Sequence, residues 1–330
     1  MSDSPAILVT GGAGYIGSHA CRALRAAGYQ PVVFDNFSTG HRSFVAGPLV
    51  TGDLLDKAAL DGAFAQHEIA AVIHFAAASL VGESVVDPQK YYRNNVAGTL
   101  SLLDAMRAAG CHRLVFSSTG AVYGNADSKA LSETYRCEPI NPYGASKWMI
   151  ERILADYRSA YGFGAFCLRY FNASGADAAG GIGELRDPET HLIPRAMMAL
   201  QGHVGDFAVF GDDYDTPDGT AIRDYIHVTD LAAAHVEALK LLMDGHAGGA
   251  FNLGTGTGFS VREILSAIAA ETGRKVPHVV KPRRAGDPTY LVANPAAARE
   301  TLNFRAQHSD LATIIRTAWS WHQKAHPLKA

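Results

Sequence analysis

Short apolar runs alternate with longer stretches of mixed polar and apolar residues through the first half of the chain. Apolar runs of about four to eight residues, bounded by turn residues, indicate buried strands, whereas the longer stretches have the composition of helices. Strands that alternate with helices are typical of a doubly wound parallel sheet. We therefore predict an α/β fold of Rossmann type, followed by a smaller C-terminal domain. The predicted strands are 6–10, 31–35, 49–52, 70–75, 113–117 and 164–170, and the predicted helices are 18–27, 57–66, 88–109 and 142–161.

A glycine-rich phrase directly follows the first predicted strand. Gly11, Gly14 and Gly17 have the spacing G-x-x-G-x-x-G, a variant of the dinucleotide-binding pattern. The first glycine allows a tight turn, the second lets the backbone approach a pyrophosphate, and the third lets helix and strand pack closely. Free N–H groups at the start of the following helix would face the anion. The phrase therefore predicts a dinucleotide site.

Acidic residues end the next two predicted strands. Asp35 lies a little under twenty residues beyond Gly17, where a carboxylate can accept hydrogen bonds from the adenosine ribose. A carboxylate at this place repels a 2′-phosphate, so the sequence favours NAD over NADP. Asp53 could reach the adenine, but it could equally cap a helix.

A tyrosine and a lysine stand four residues apart on the predicted helix 142–161, so Tyr143 and Lys147 share one face of it. Thr119, just after the fifth predicted strand, adds a hydroxyl near the same crevice. A nearby ammonium and a positive nicotinamide ring both favour the phenolate, which draws the pKa of the phenol from about 10 toward neutrality. Such a base is what alcohol oxidation needs. Lys147 could also hold the nicotinamide ribose hydroxyls.

The carboxyl ends of parallel strands meet at one edge of the sheet, where ligands bind. We therefore expect Gly11 and the segments 76–78, 117–119 and 170–172 to converge. After Asn172 the sequence changes to a segment rich in glycine and alanine and then to shorter elements. We place an NAD-binding domain at residues 1–172, with a segment near 222–243 returning to it, and a substrate domain at 173–330.

Composition narrows the classes of protein that remain. A chain of 330 residues, 48% apolar, can bury the core of one large or two moderate domains. A net charge of −3 without a basic tract argues against a nucleic-acid partner. The four scattered cysteines lack metal-ligand spacing, so we expect reduced thiols and no metal. With no signal peptide or long apolar stretch, we expect a cytoplasmic protein without a membrane segment.

The helices that begin at Pro88 and Pro142 carry enough apolar residues for two buried faces. Each could cover its own sheet and a neighbouring subunit, giving a homodimer. A thick single core explains the same residues equally well.

Several phrases along the chain together resemble the UDP-glucose 4-epimerase family of extended short-chain dehydrogenase/reductases. These phrases are GGAGYIGSH from Gly11, HFAA from His74, VGES from Val81, NNV from Asn94, Tyr143-x-x-x-Lys147, RYFN from Arg169 and RDYIHV from Arg223. The match extends over nearly the whole chain. It implies NAD that is held through each turnover as a hydride store. Tyr143 would take the proton of the C4 hydroxyl while C4 gives hydride to NAD, and the 4-keto sugar would then turn and take hydride back on its other face.

The resemblance also implies which residues act in catalysis and which bind the cofactor and the substrate. The catalytic residues are Tyr143, Lys147 and Thr119. The implied cofactor contacts are Gly11, Gly14, Tyr15, Ile16, Gly17, Asp35, Asn36, Asp53, Leu54, Phe75, Ala76, Ala77, Asn94, Ser117, Tyr143, Lys147 and Tyr170. The implied substrate contacts are Thr119, Tyr143, Asn172, His191 and Leu192 near the sugar and diphosphate, Phe210 at the uracil, Arg223 and Arg284 at the phosphates, Asp287 at the uridine ribose and Leu291 at the sugar pocket. Without the resemblance, the two arginines would be interpreted as surface salt bridges.

The chain departs from this family's pattern at a few positions. Ser79 stands where some members carry lysine, and its hydroxyl adds no positive charge to a cofactor phosphate contact. Thr119 replaces serine, and His191 replaces asparagine. Leu291 is intermediate in size between the tyrosine and the smaller residues that members carry there, and it could instead only pack the core.

The same residues bear on other possible functions. A nucleotide-sugar dehydratase is disfavoured because Gly120 and Ala121, rather than an acid and a base, follow Thr119. A UDP-glucuronate decarboxylase or another NAD-dependent enzyme that modifies nucleotide sugars is the alternative. A non-catalytic NAD-binding regulator is the hypothesis from a different class.

Overall fold

A parallel sheet at the centre of the protein carries the predicted dinucleotide site at its carboxyl edge. The structure is a computed structural model and describes residues 4–126, 130–284 and 287–327. The strands of this sheet are β1 (Ala6–Thr10), β2 (Gln30–Asp35), β3 (Leu49–Thr51), β4 (Ile69–His74), β5 (Arg113–Ser117), β6 (Gly164–Tyr170) and β10 (Gly248–Leu253). Their order is β10-β6-β5-β4-β1-β2-β3, and every neighbouring pair is parallel. The predicted Rossmann-type fold is confirmed.

Helices cover both faces of this sheet. They are α1 (Tyr15–Ala26), α2 (Lys57–Gln66), α3 (Val81–Val86), α4 (Pro88–Tyr91), α5 (Gly98–Ala108), α6 (Pro142–Tyr161) and α8 (Val228–Met243). Successive side chains of a strand point to opposite faces, and each face is buried by its own set of helices. Ile7 and Val9 pack with α1 and α8, whereas Leu8 packs with α2, α5 and α6.

Two predicted helices differ from the observed ones. The first begins at Tyr15, so it includes the last part of the glycine phrase, where open N–H groups are needed. The predicted helix 88–109 is interrupted by a π-helical run at Tyr92–Ala97. Such runs are rare and frequently mark functional sites. Here the run includes Asn95, which is buried beside the sheet edge.

The second half builds a smaller layer beside this edge. Its strands are β7 (Asn172–Ser174), β8 (Ala208–Phe210), β9 (Ile222–His227), β11 (Gly258–Ser260), β12 (Val279–Lys281) and β13 (Tyr290–Leu291), and its helices are α7 (Leu192–Leu200), α9 (Val261–Thr272), α10 (Ala296–Thr301) and α11 (Leu311–Ala325). β9 pairs with β7, β11 and β13, while β8 pairs with β12. A separate apolar core lies among α7, α9 and α11.

The chain returns to the first sheet after β9. Helix α8 packs against α1, and β10 pairs with β6 as the edge strand. The division at Asn172, with a returning segment near 222–243, stays a prediction. Across the described ranges, every helix is too short or too polar to cross a bilayer.

Candidate active site

The glycine phrase forms a tight turn between β1 and α1. Gly11 has a φ of 72°, and a Cβ there would lie 2.6 Å from the backbone nitrogen of Ala76. A Cβ at Gly17 would lie 2.2 Å from the carbonyl oxygen of Gly11. By contrast, a Cβ at Gly14 would meet only that same oxygen, at 3.3 Å, so the turn is open on this side. The turn thus requires glycine at its two ends for packing and leaves an open concavity in the middle.

These features fit a dinucleotide such as NAD. Helix α1 begins after Gly14 without a side-chain cap, so its first N–H groups stay available to an anion. Tyr15, the first residue of α1, donates its hydroxyl hydrogen to the carbonyl oxygen of Gly175 at 2.6 Å and ties the turn to the second half. Ile16 packs partly buried against the core on the same helix.

The acidic residues at the strand ends lie beside this turn. Asp35 accepts hydrogen bonds from the backbone N–H groups of Ala13 at 2.9 Å and Phe37 at 2.8 Å. A carboxylate has about four acceptor sites, so two remain for ribose hydroxyls. Asp53 accepts from Asn36 Nδ2 at 2.7 Å, and Asp56 rather than Asp53 caps α2. The helix-cap alternative for Asp53 is therefore wrong, and its adenine contact stays a prediction.

The three predicted catalytic residues meet at the end of β5. Lys147 is 2% exposed, and its Nζ donates to the carbonyl oxygen of Ser117 at 2.8 Å. Thr119, two residues further on, is 7% exposed and lies close enough to the phenol of Tyr143 to lower its pKa. Asn141 caps the helix by accepting from the Gly144 N–H at 2.8 Å, so Tyr143 stands in the first turn of α6. Base, lysine and hydroxyl thus share one crevice.

Burial has the largest effect on the pKa values of Tyr143 and Lys147. Burial raises the pKa of Tyr143, against the opposing effects of the nearby Thr119 hydroxyl and the positive charge of Arg186. Burial also lowers the pKa of Lys147 to about 7. The expectation that Lys147 lowers the Tyr143 pKa is therefore wrong when only the protein's own groups are considered. Among these groups, Arg186 is the cation that favours the phenolate.

A buried ion pair lies one helical turn beyond Lys147. Glu151 accepts from Arg169 Nε at 2.9 and 3.2 Å, and the two side chains are only 5% and 4% exposed. Ser118 Oγ also donates to Glu151, and Arg169 Nη1 donates to the Tyr123 hydroxyl at 2.9 Å. Since Ser118 lies between the residues that contact Lys147 and Tyr143, this network fixes α6 against the end of β5.

The π-helical run supplies a second support for α6. Asn95 Oδ1 accepts from the Ala78 N–H at 2.8 Å, while its Nδ2 donates to the Ala78 carbonyl and to Ser146 Oγ, both at 3.0 Å. The predicted cofactor contact Asn94 is partly buried and donates to Asn95 Oδ1 at 2.9 Å. The sequence singled out Asn94, but the bonds that join the segment after β4 to α6 come from Asn95.

The remaining predicted cofactor contacts line the same sheet edge. The Phe75 ring lies 4.7 Å from His235, and the Gly11 turn contacts Ala76, next to Ala77. The Tyr170 hydroxyl bonds Ser117 Oγ, and Gly120 contacts the Phe171 ring. Leu54, 5% exposed, packs against Gly98. The expected convergence of the strand ends is therefore seen.

The predicted uridine residues also lie together. The Arg284 guanidinium stacks 3.8 Å from the centre of the Phe210 ring. Arg223 Nη2 lies 3.6 Å from Asp287 Oδ1, and the Arg223 side chain is 15% exposed. Two cations, an aromatic ring and a carboxylate are the groups that a nucleoside diphosphate requires.

Asn172 and His191 connect this region to the catalytic crevice. Asn172 Nδ2 donates to the Asp224 carbonyl at 3.0 Å, so the amide joins β7 to β9. His191 precedes Leu192, the first residue of α7, and its Nδ1 lies 3.0 Å from Glu189 and 3.2 Å from Glu184. Although burial opposes it, these carboxylates raise the pKa of His191.

Sequence reasoning missed the charged cluster around His191. Glu184 and Glu189 are 6% and 5% exposed, and Arg186 Nε donates to Glu184 at 2.9 Å. No motif marks these residues, because they lie on an irregular loop between β7 and α7. The sequence signal that could have indicated them is the concentration of charged residues in the segment Glu184–His191.

Leu291 lies on β13 opposite Arg223. It packs, partly buried, against a cluster that includes Tyr123, Leu131 and Phe171. Both earlier alternatives, core packing and a sugar-pocket wall, agree with this position.

Comparison with known proteins gives the family. The model of the NAD dependent epimerase/dehydratase family matches residues 7–254. A UDP-glucose 4-epimerase of Rhizobium leguminosarum bv. trifolii is 54% identical over 321 residues, which are 97% of this chain and 98% of that protein. The crystal structure of UDP-glucose 4-epimerase from Brucella ovis in complex with NAD is 56% identical, with a TM-score of 0.94 over 96% of this chain and 98% of that one.

A UDP-glucose-4-epimerase from Stenotrophomonas maltophila, solved with bound NAD and formylated UDP-arabinopyranose, is 41% identical. Its TM-score is 0.94 over 97% of this chain and 98% of that one. With a family match over most of the chain and relatives above half identity along nearly its full length, this chain belongs to the NAD dependent epimerase/dehydratase family.

Proposed function

We propose that this chain catalyses the NAD-dependent 4-epimerisation of UDP-sugars, with UDP-glucose and UDP-galactose as the first substrate pair. The observation that carries the proposal is the meeting of Tyr143, Lys147 and Thr119 in the crevice of the glycine turn. Relatives named UDP-glucose 4-epimerase, at up to 54% identity in sequence comparison, support the same activity.

The chain's own residues perform the proton transfers. Bound NAD supplies a hydride acceptor and, later in the same turnover, a hydride donor. Tyr143 accepts the proton of the C4 hydroxyl as the hydride leaves that carbon, which gives a 4-ketone. After the sugar has turned, Tyr143 returns the proton to the C4 oxygen as the hydride arrives on the opposite face. Neither protons nor electrons are gained or lost over the cycle.

Thr119 and Lys147 support this transfer. The Thr119 hydroxyl can share a hydrogen bond with the reacting oxygen, because it already lies beside the phenol. Lys147 uses one N–H for the Ser117 carbonyl and has two more for the ribose hydroxyls of the cofactor. Its fixed position orients the cofactor relative to Tyr143.

Inversion needs a firm hold on the nucleotide and a loose hold on the sugar. Arg223 and Arg284 bind the diphosphate, Phe210 stacks on the uracil and Asp287 accepts from the uridine ribose. Asn172, His191 and Leu192 contribute the wall nearer the sugar. With the uridine diphosphate anchored there, the 4-keto ring can rotate without leaving the protein.

The function is tested by adding UDP-galactose to the purified protein without added NAD and measuring UDP-glucose. Hexose, N-acetylhexosamine and pentose UDP-sugars are compared side by side. We expect conversion of the hexose pair. A protein that contains NAD but converts none of them would be a regulator, and carbon dioxide released from UDP-glucuronate would identify a decarboxylase.

Leu291 sets the size of the sugar pocket in this account. A Leu291→Tyr substitution narrows the pocket, so we expect turnover of N-acetylhexosamine substrates to fall relative to hexoses. The ratio of the two kcat/KM values measures this effect. An unchanged ratio in a wild type that accepts both substrates would assign Leu291 to core packing alone.

The assembly we infer is a homodimer formed through α3, the π-helical run, α5 and α6. Exposed apolar side chains lie on these neighbouring helices, among them Val86 at 86%, Met149 at 45% and Leu100 at 36%. A two-fold axis would bury the same surface on both copies.

We also place the protein in the cytoplasm. Cys21, Cys111, Cys137 and Cys167 are all free, as expected in a reducing compartment. Subcellular fractionation tests this placement, and recovery in an extracytoplasmic fraction would contradict it.

A further inference from the structure

Arg186 lies close enough to Tyr143 to lower its pKa, and its guanidinium also bridges two segments of the chain beside the crevice. Its Nε donates to Glu184 Oε1 at 2.9 Å, and its Nη1 donates to Ser79 Oγ at 3.4 Å. The side chain is 24% exposed. Through these bonds, Arg186 joins the loop before α7 to the segment after β4, across the crevice.

The surroundings locate the guanidinium more closely. Burial raises the pKa of Tyr15, Tyr143 and Tyr170, and the positive charge of Arg186 opposes this rise in all three. These tyrosines stand at the start of α1, at the start of α6 and at the end of β6. Glu184, which holds the Nε of Arg186, also lines one cavity with Gly175, the acceptor of the Tyr15 hydroxyl. Arg186 therefore lies near the pyrophosphate-binding turn as well as near the catalytic phenol.

The guanidinium keeps hydrogen-bonding capacity for a ligand. Glu184 occupies the Nε side, while Nη2 makes no hydrogen bond to any residue within the described parts of the chain. The first N–H groups of α1, which lack a side-chain cap, border the same crevice. A planar guanidinium beside open backbone N–H groups suits a phosphate, since both donate to its oxygens.

We propose that Arg186 is a cofactor-binding residue that donates to a phosphate of the bound dinucleotide, together with Ser79 and the first turn of α1. This inference rests on the proposed function for the identity of the cofactor. Glu184 orients the guanidinium by holding its Nε. Ser79 supplies a hydroxyl donor beside it but no charge, so the positive charge at this place comes from the loop before α7.

The variants that test this assignment exchange the position of the charge. Arg186→Gln removes the charge, and Arg186→Gln with Ser79→Lys restores it from the other side of the 3.4 Å contact. Arg274→Gln is the matched control, because Arg274 is exposed on the loop after α9. The double variant Arg186→Gln with Glu184→Gln also neutralises the buried carboxylate that Arg186 pairs with. Weaker NAD binding in this variant therefore cannot be attributed to misfolding caused by an unpaired Glu184 charge.

The measurements are the NAD that copurifies with each protein, the dissociation constant for added NAD and the dissociation constant for UDP. We expect Arg186→Gln, alone or with Glu184→Gln, to weaken NAD binding by about tenfold or more, since charged hydrogen bonds are the strong ones. UDP affinity should stay within about twofold. Ser79→Lys should restore most of the NAD affinity.

Wild-type affinity for NAD in Arg186→Gln, both alone and combined with Glu184→Gln, would overturn the proposal. So would a fall in UDP affinity with unchanged NAD binding, which would assign the guanidinium to the substrate diphosphate. Neither measurement needs turnover of a sugar. An inactive wild type that binds NAD through Arg186 would therefore contradict the proposed function and leave this assignment standing.

Discussion

In the proposed mechanism the chemistry depends on Tyr143, the group that would carry the proton of the C4 hydroxyl. Its phenol lies beside Thr119, and Lys147 lies one turn along the same helix. Burial alone would keep the phenol protonated. The neighbouring hydroxyl and cations must therefore supply the stabilisation that makes it a base.

Tyr143→Phe removes this base and leaves the packing of the ring in place. We expect kcat to fall by at least about a hundredfold, as is usual for loss of a general base. NAD content and UDP affinity should stay near wild type. Thr119→Ser, which keeps the hydroxyl, is the control and should retain most activity. A fall of only a few-fold in the phenylalanine variant would contradict the assigned role.

At this scale the sequence predicted the residues that stand on regular elements. Tyr143 and Lys147 could be placed because helical spacing fixes their relation, and Thr119 because it ends a strand. Arg186 could not be placed, since the irregular loop that carries it has no periodicity. Its contact with Ser79 joins positions far apart in the chain. The rise in the Tyr143 pKa that burial causes could not be predicted, because burial cannot be estimated from spacing.

Among the elements, α6 and the end of β5 form the unit that holds the catalytic groups. Three contacts at one-turn intervals join them, made by Tyr143, Lys147 and Glu151. The last is anchored by the buried ion pair with Arg169. The carboxyl edge of the parallel sheet is completed by the ends of β4 and β6 and by the π-helical run.

Glu151→Gln breaks this anchor and leaves the Arg169 charge buried without its partner. Loss of one member of a buried pair costs about 3–5 kcal/mol of the free energy of unfolding. We expect a lower urea midpoint and a reduced kcat, with UDP affinity unchanged. Replacing both Glu151 and Arg169 by methionine should recover much of the stability. Equal stability of wild type and Glu151→Gln would show that the pair does not hold α6.

Six of the seven strands of the parallel sheet were predicted to within a few residues, because apolar runs and turn residues mark them, whereas the edge strand β10 and the helix α8 before it were not predicted. The π-helical run was not predicted, since it inserts one residue without changing composition. In the structure the run carries the Asn95 amide, which bonds to Ala78 and Ser146.

Over the whole molecule, the parallel sheet holds the glycine turn and the proposed catalytic residues, while the smaller layer holds the residues that we propose anchor the nucleotide. The two approach each other through β7, β9 and the loop before α7. In the proposed mechanism this arrangement separates the chemistry from the binding of the nucleotide, which would let the sugar turn. The exposed apolar surface on α5 and α6 lies on the outside of the same sheet.

The inferred homodimer is tested by charging that surface. Leu100→Glu combined with Met149→Glu would place carboxylates in a buried interface, which is costly without partners. We expect the variant to elute and scatter light as a monomer, whereas the wild type gives a dimer. Val280→Glu, at a residue 47% exposed on β12, is the control and should remain dimeric. A wild-type monomer would contradict the inference.

The central claim is that one hydrogen leaves C4 and returns to it within a single turnover. UDP-galactose carrying deuterium at C4 is converted in ordinary water, and the isotope at C4 of the UDP-glucose formed is measured by mass spectrometry and NMR. The account predicts that the deuterium stays at C4 and that none is incorporated from D₂O in the reverse labelling. Loss of the label to solvent, or uptake of solvent deuterium at that carbon, would contradict it.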